Sequence, residues 1–188
     1  MLEKLISKRL ILRPLKVSDA TMMFNNLAYD DRVTKYLSWP SHQSVETTKK
    51  SLMVRKKKYL KFKYYDWGIV VKDTKELIGT ITVVRQNSLK KIMELGFCIG
   101  YEWWGNGYTA EAMKIVIGYL FQNTNVNRIE ACHDKRNNNS GKVMRKSGMT
   151  YEGTFRQRGV NNMGICDEVV YSILRKEYIH RLKRPQCV

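Results

Sequence analysis

The residues best suited by type and spacing to do chemistry form one stretch, Glu94 to Met113, reading ELGFCIGYEWWGNGYTAEAM. Leu95-Gly96-Phe97-Cys98-Ile99 is an apolar run that suits a buried strand. The chain breaks at Gly105-Asn106-Gly107 and resumes at Tyr108-Thr109-Ala110, with apolar residues at Met113, Ile117 and Leu120, a helical spacing. Strand, glycine turn and helix start together aim backbone N–H groups at an anion. The first N–H groups of a helix lack internal partners, its dipole adds positive potential, and glycine lets a phosphate come close. The expected ligand is a diphosphate. Gly105-x-Gly107-x-x-Ala110 also matches the dinucleotide fingerprint, and Glu130 falls about 20 residues on, where that fold places its ribose acid. An NAD-binding oxidoreductase is one reading of the turn. Against it stand the hairpin strands before the turn, the single crossover after it, and Trp103-Trp104 between strand and glycine.

The elements that must position this stretch are readable in outline. A first strand is expected over 8–15, and Ser18-Asp19 caps a helix running to about Ala28. A short helix covers 31–37, and Ser44-Val45-Glu46 opens a longer one to about Tyr59. That helix carries Lys49, Lys50 and Arg55 to Lys58, followed by Lys61 and Lys63, with Tyr59, Phe62, Tyr64 and Tyr65 interleaved. Such a stretch is either a solvated face or a nucleic-acid footprint. Residues 67–72 and 77–84 make a hairpin around Asp73-Thr74-Lys75-Glu76, and a polar turn over 85–91 leads to the strand ending near Gly100. After the helix of 108–122 come a strand over 128–133 and a short helix from Asn137, stopped by Gly148. Strands over 150–158 and 167–174 flank a glycine-bearing loop, and a basic, frayed tail follows from about 179. The order β-α-α-β-β-β-α-β-α-β-β describes an α/β fold with a mixed, mostly antiparallel sheet and one glycine-turned crossover.

At 188 residues, with 43% hydrophobic and 27% charged residues, the chain is expected to be one domain with an ordinary core. Its apolar runs fall far short of a membrane span, and its N-terminus leads directly into a strand pattern without a signal peptide's apolar core. A cytoplasmic protein is expected. Cys98, Cys132, Cys166 and Cys187 show no CxxC pairing, so no zinc or other metal site is expected. The net charge of +17 predicts attraction to anions: phosphorylated cofactors, nucleic acid, or a substrate embedded in RNA.

Arg9-Leu10-Ile11-Leu12-Arg13-Pro14, Leu77-Ile78-Gly79, Trp104-Gly105-Asn106-Gly107-Tyr108-Thr109-Ala110-Glu111-Ala112, and Asn137-x-x-Ser140 followed by Gly148 resemble, in this order, the GNAT acetyltransferase superfamily. The likeness covers about residues 8–178 and is nearest to the branch that acetylates N-terminal alanine and serine of ribosomal proteins. It implies acetyl-CoA as cosubstrate and a primary amine as acceptor, either a protein N-terminus, such as a ribosomal one, or a small amine. The family's pyrophosphate turn falls on Trp104, Gly105, Asn106, Gly107, Tyr108 and Thr109, with Trp104 and Thr109 departing from its usual residues. The resemblance also implies a splayed central strand pair, with the backbone of Phe97, Cys98 and Ile99 on the pantetheine arm and Asn137 beside it.

Moving an acetyl group from a thioester to an amine needs a neutral amine, donors for the tetrahedral oxyanion, and a proton for the leaving thiolate. Glu94 and Glu130, on neighbouring strands, are the candidate bases, with Asp167 and Glu168 more distant options. Many family members carry a tyrosine acid seven residues after the asparagine; here that position is Met144. In the branch this chain resembles, the serine of N-x-x-S is the proposed acid, which implies Ser140, acting through water or only positioning the sulfur. The acceptor pocket is expected between the early helices (18–60) and the loop 159–166. A basic RNA-binding protein without catalysis is the non-enzymatic alternative.

Overall fold

The computed structural model describes residues 2–60 and 63–183. Eight strands form one sheet: β1 (Leu5–Ile6), β2 (Leu10–Arg13), β3 (Asp66–Val71), β4 (Leu77–Asn87), β5 (Ile92–Ile99), β6 (Arg128–Asp134), β7 (Thr150–Asn161) and β8 (Gly164–Leu174), in spatial order β1-β2-β3-β4-β5-β6-β8-β7. Every neighbouring pair is antiparallel except β5–β6, which is parallel. The two halves of the sheet are therefore joined by one crossover helix, α4 (Tyr108–Asn123). The crossover has the αβ layering expected, but a run of parallel βαβ units, which a dinucleotide fold requires, is not what surrounds the glycine turn.

Side-chain alternation along β5 divides the molecule into two layers. Met93, Leu95, Phe97 and Ile99 face the core under α4, whereas Cys98 belongs to a second core on the opposite face. On the first face α4 buries Ala112, Met113, Val116, Ile117, Leu120 and Phe121, an i, i+1, i+4, i+5 stripe against Leu10, Leu12, Trp67, Ile81 and Ile129. Helices α5 (Asn138–Lys146) and α6 (Arg175–Lys183) lie on this side, contributing Met144 and Tyr178. On the second face are α1 (Ala20–Met23, continued by a π turn over Phe24–Ala28), α2 (Asp31–Thr34) and α3 (Val45–Lys58). They bury Met23, Leu27, Val33 and Leu52 against Val70, Leu77 and Cys98.

The long helix begins where its cap predicts. The Thr47 N–H donates to Ser44 Oγ at 3.2 Å, satisfying one of the unpartnered amides of the first turn. Ser44 is exposed, so Ser44→Ala removes little besides this bond, and a loss of about 1 kcal/mol is expected in urea unfolding. Further along, Arg55 turns inward rather than joining the exposed Lys56–Lys58 run. Its guanidinium donates to the fully buried Asp66 carboxylate at 2.8 and 3.0 Å, and the Tyr59, Tyr64 and Thr82 hydroxyls donate to the same group. Of the basic stretch, Lys61 and Phe62 lie outside the described residues.

Several expected boundaries differ. Asp19 stands at the N-cap position of the first helix but makes no side-chain bond to it. Asp19 sits in a 3-10 turn (Val17–Asp19), accepting from Lys16 N at 2.7 Å and paired with Arg13 at 2.8 Å. The short helix expected over 31–37 ends at Thr34, and the polar turn expected from Arg85 begins only after Asn87. The supposed loop 159–166 is the end of the β7–β8 hairpin, turning at 162–163. Its strand character is hidden because β7 is the sheet's edge: almost none of its residues is buried, so it has no apolar alternation to read. The supposed tail from 179 continues α6 to Lys183; Pro185 lies outside the described residues. Arg175 opens that helix and docks it by donating to the carbonyls of Phe121, in the last turn of α4, and of Thr124 and Val126 just after it.

The decisive feature is at the centre of the sheet. β5 and β6 are paired only at Ile92↔Arg128, Met93↔Ile129 and Glu94↔Glu130. Beyond Glu94, β5 stays with β4 as far as Ile99 and β6 stays with β8 as far as Asp134. The pair is splayed, and the inner edge of Leu95 to Ile99 has no strand beside it.

Candidate active site

The glycine turn closes one end of this splay. Gly105 and Gly107 hold φ of +81° and +77°, left-handed values that glycine adopts without steric cost. A Cβ on Gly105 would meet nothing within 4 Å, so the space over the turn is open. Trp104 ties the turn to the strand: its indole Nε1 donates to the Ile99 carbonyl at 2.9 Å, and its own carbonyl accepts from Asn106 Nδ2 at 3.2 Å.

A cavity of about 550 Å³ runs from this turn along β5 to the start of α5. Of the residues expected at a cofactor, Phe97, Cys98, Ile99, Trp104, Gly105, Gly107, Thr109 and Asn137 line it, and so does Ser140. Asn106 and Tyr108 do not; they turn toward Arg9. Asn137 caps α5, its Oδ1 accepting from Ser140 N at 3.4 Å. Met144, at the position of the family's tyrosine, is wholly buried and packs in the core. Lys142 and Lys146, one helical turn apart on α5, also line the cavity and add positive charge to it. Their i, i+4 spacing was a readable signal that sequence reasoning passed over.

A second cavity, of about 800 Å³, lies on the α1–α3 face, walled by Trp39, His42, Arg55, Thr82, Asn161 and the carboxylates of Glu94 and Glu168. The two cavities share Tyr36 and Leu37 as well as Gly96, Phe97, Cys98, Cys132, His133 and Asp134. They meet where β5 and β6 part, as a donor site and an acceptor site would have to.

The candidate carboxylates separate clearly. Glu94 faces the second cavity, and Arg85 is its ion-pair partner at 3.6 Å. Burial raises its pKa above the ordinary carboxylate value, assisted by Glu168 and Glu130 and opposed by Arg85 and Arg158. Glu130, although its register partner, lines neither cavity; it is held by Arg128 at 2.5 Å, which also pairs with Glu152. Glu168, which the sequence left as a distant option, shares the second cavity with Glu94 and is paired with Arg158 at 3.2 Å. Asp167, its neighbour on the strand, accepts from the Gln157 N–H outside this cavity.

Two further groups stand at the junction. Burial, with Glu94 and Glu168 nearby, pushes the Cys132 thiol up to about 12, so it stays protonated and is a poor nucleophile. The His133 ring places Nδ1 2.8 Å from the Asp134 carbonyl, while Nε2 is buried without a partner among the described residues, and burial lowers the pKa. It is therefore a neutral imidazole.

Residues 9–150 match the acetyltransferase (GNAT) domain family. The chain is 33% identical over 167 residues to the uncharacterized N-acetyltransferase YoaA of Bacillus subtilis, covering 89% of this chain and 94% of that one. Among solved structures it is similar to the ribosomal-protein-S5-alanine acetyltransferase of Vibrio fischeri, with a TM-score of 0.80 at 22% identity over 94% of this chain and 98% of that one. It is equally similar, at 0.80 and 16% identity over 89% and 93%, to the microcin C7 self-immunity acetyltransferase MccE, solved with acetyl-CoA and AMP.

Proposed function

Since the chain belongs to the GNAT acetyltransferase family and is an N-acetyltransferase, we propose that it moves the acetyl group of acetyl-CoA directly to a primary amine across the splay of β5 and β6. The observation that carries this reading is the meeting of two cavities there, one ending on the glycine turn and the other walled by Glu94. The diphosphate lies against the N–H groups of Gly105 to Thr109 at the start of α4, where dipole and unpaired amides favour an anion. The pantetheine arm lies along the free edge of Phe97, Cys98 and Ile99.

In the ternary complex Glu94 takes the proton of the entering ammonium, directly or through a water. The freed lone pair attacks the thioester carbonyl, and the oxyanion is held by backbone N–H groups of the Phe97–Ile99 edge. Collapse breaks the C–S bond; the proton that the attacking nitrogen sheds reaches the departing thiolate through water on the Ser140 side, leaving the acetylated amine and CoA, and Glu94 returns its proton to solvent. Glu130, committed to Arg128, has a structural part.

For the acceptor, we favour a protein N-terminus at an RNA-rich surface, such as a ribosomal protein's, or an anionic small amine. A field of +17 repels polycations, and a fold neighbour acts on ribosomal protein S5. Acetylation assays in which a polyamine outpaces ribosomal proteins and acidic amines would overturn this choice. The cosubstrate is tested by thermal unfolding with acetyl-CoA, CoA and NADH side by side. A ligand at a hundredfold excess over its Kd adds about 2.7 kcal/mol to the folded state. Stabilisation by both CoA species and not by NADH is expected; stabilisation by NADH alone refutes the reading.

A further inference from the structure

Besides the bonds that Trp104 makes, the glycine turn is held by a group far away in sequence. Arg9, just before β2, donates from its backbone N–H to Glu111 Oε1 at 3.0 Å and from Nε to Oε2 at 2.7 Å. Its Nη1 donates to the Asn106 carbonyl at 3.0 Å, and the guanidinium lies 4.4 Å over the Tyr108 ring. Its Nη2 is 3.7 Å from where a Cβ on Gly107 would stand. One side chain thus touches or borders Asn106, Gly107, Tyr108 and Glu111.

Two consequences follow for an anion at this turn. In a trans peptide the C=O and the next N–H point in opposite directions. Anchoring the Asn106 carbonyl on Arg9 therefore turns the Gly107 N–H the other way, and Gly107, unlike Asn106, lines the cavity. The second consequence concerns charge. Glu111 lies in the first turn of α4, the end that must attract a diphosphate, and its own pKa is lowered, so it is ionised at neutral pH. The guanidinium cancels a carboxylate that would otherwise repel the ligand.

We propose that Arg9 is a positioning residue for the cosubstrate: it aims the Asn106–Gly107 peptide at the diphosphate and neutralises Glu111 beneath it. The proposal rests on the acetyl-CoA reading of the turn. Its test is isothermal titration of the full chain with acetyl-CoA and with acetyl-pantetheine, which has the thioester arm but no diphosphate. Arg9→Ala is expected to weaken acetyl-CoA ten- to a hundredfold while acetyl-pantetheine changes less than twofold. Arg9→Lys, which keeps a charge but not the fork, should fall between wild type and Arg9→Ala. In the Arg9→Ala/Glu111→Gln double variant, at least a threefold part of the loss should return, because the uncompensated carboxylate has gone. Acetyl-CoA binding unchanged in Arg9→Ala, or equal weakening of both ligands in Arg9→Ala and Arg9→Lys, overturns the proposal alone. A wild-type chain that binds neither ligand overturns it together with the reading beneath it.

Discussion

Gly105→Asp should abolish acetyl-CoA binding at any practical concentration, a loss of more than a hundredfold, while the protein stays folded. The backbone there has φ of +81°, and aspartate is among the side chains that tolerate left-handed values best. Its Cβ would enter open space, so no clash precedes the electrostatic effect. The carboxylate would project over the turn, and each charge pair about 5 Å apart at an effective dielectric constant of ~20 costs roughly 3 kcal/mol. Position 105 is a better probe than 107, where a new carboxylate would stand beside Arg9 Nη2 and be neutralised. Gly105→Asn has nearly the same shape without the charge and should lose about tenfold or less. Titration calorimetry of the two variants separates charge from backbone; equal losses would mean that no diphosphate sits there.

The second large effect is expected at Glu94. Glu94→Gln keeps the volume of the side chain and removes the base, and the acetyl-transfer kcat should fall by about 10²- to 10³-fold, the range of general-base catalysis. Acetyl-CoA affinity should stay within a factor of about two, a small change beside the loss of rate. The direction of the pH response follows from burial. Glu94 must be ionised to accept a proton, and its pKa is raised. Wild-type kcat should therefore climb as pH rises through a value above that of an ordinary carboxylate, and this limb should vanish in Glu94→Gln. Glu130→Gln is the paired control: its partner is Arg128 rather than the cavity, and kcat should be nearly unchanged. The assay is thiol release with the best acceptor from a panel of ribosomal-protein N-terminal peptides and acidic amines. Equal losses for the two variants would remove Glu94 from its role.

What could be read from the chain alone follows from how local each feature is. The crossover helix was legible because Met113, Ile117 and Leu120 repeat at the helical period and bury against a single face. The glycine turn was legible because strand end, turn and helix start are contiguous in sequence. The two strands of the last hairpin were legible in their bodies, over 150–158 and 167–174, but its tip read as a loop, since an edge strand facing water shows no alternation of apolar residues to carry the strand on to Asn161. The wall of the second cavity was legible only in part. Its residues Trp39, Arg55, Thr82, Glu94 and Glu168 come from five separate segments, so no window of sequence displays them together. Glu168 looked remote from Glu94 until the β6–β8 pairing carried it back across the sheet. Arg9 was visible as part of a family pattern, but its grip on Asn106 spans nearly a hundred residues.

The same scatter gives the chain an order of completion. Asn162, at the tip of the last hairpin, donates from Nδ2 to the carbonyls of Thr34 and Trp39 at 2.9 and 2.8 Å, and its N–H donates to the Leu37 carbonyl at 3.1 Å. Asn161 beside it donates to Asp134 Oδ2 at 2.8 Å. The bonds of Asn162 fasten a later segment of the chain onto one made more than a hundred residues earlier. During synthesis, which proceeds from the N-terminus, the glycine turn and its helix are present well before the second cavity has its far wall. A nascent chain released short of residue 162 would keep every residue that lines the first cavity and lack Cys166 and Glu168 from the wall of the second. The two cavities thus draw on parts of the polypeptide made at different times.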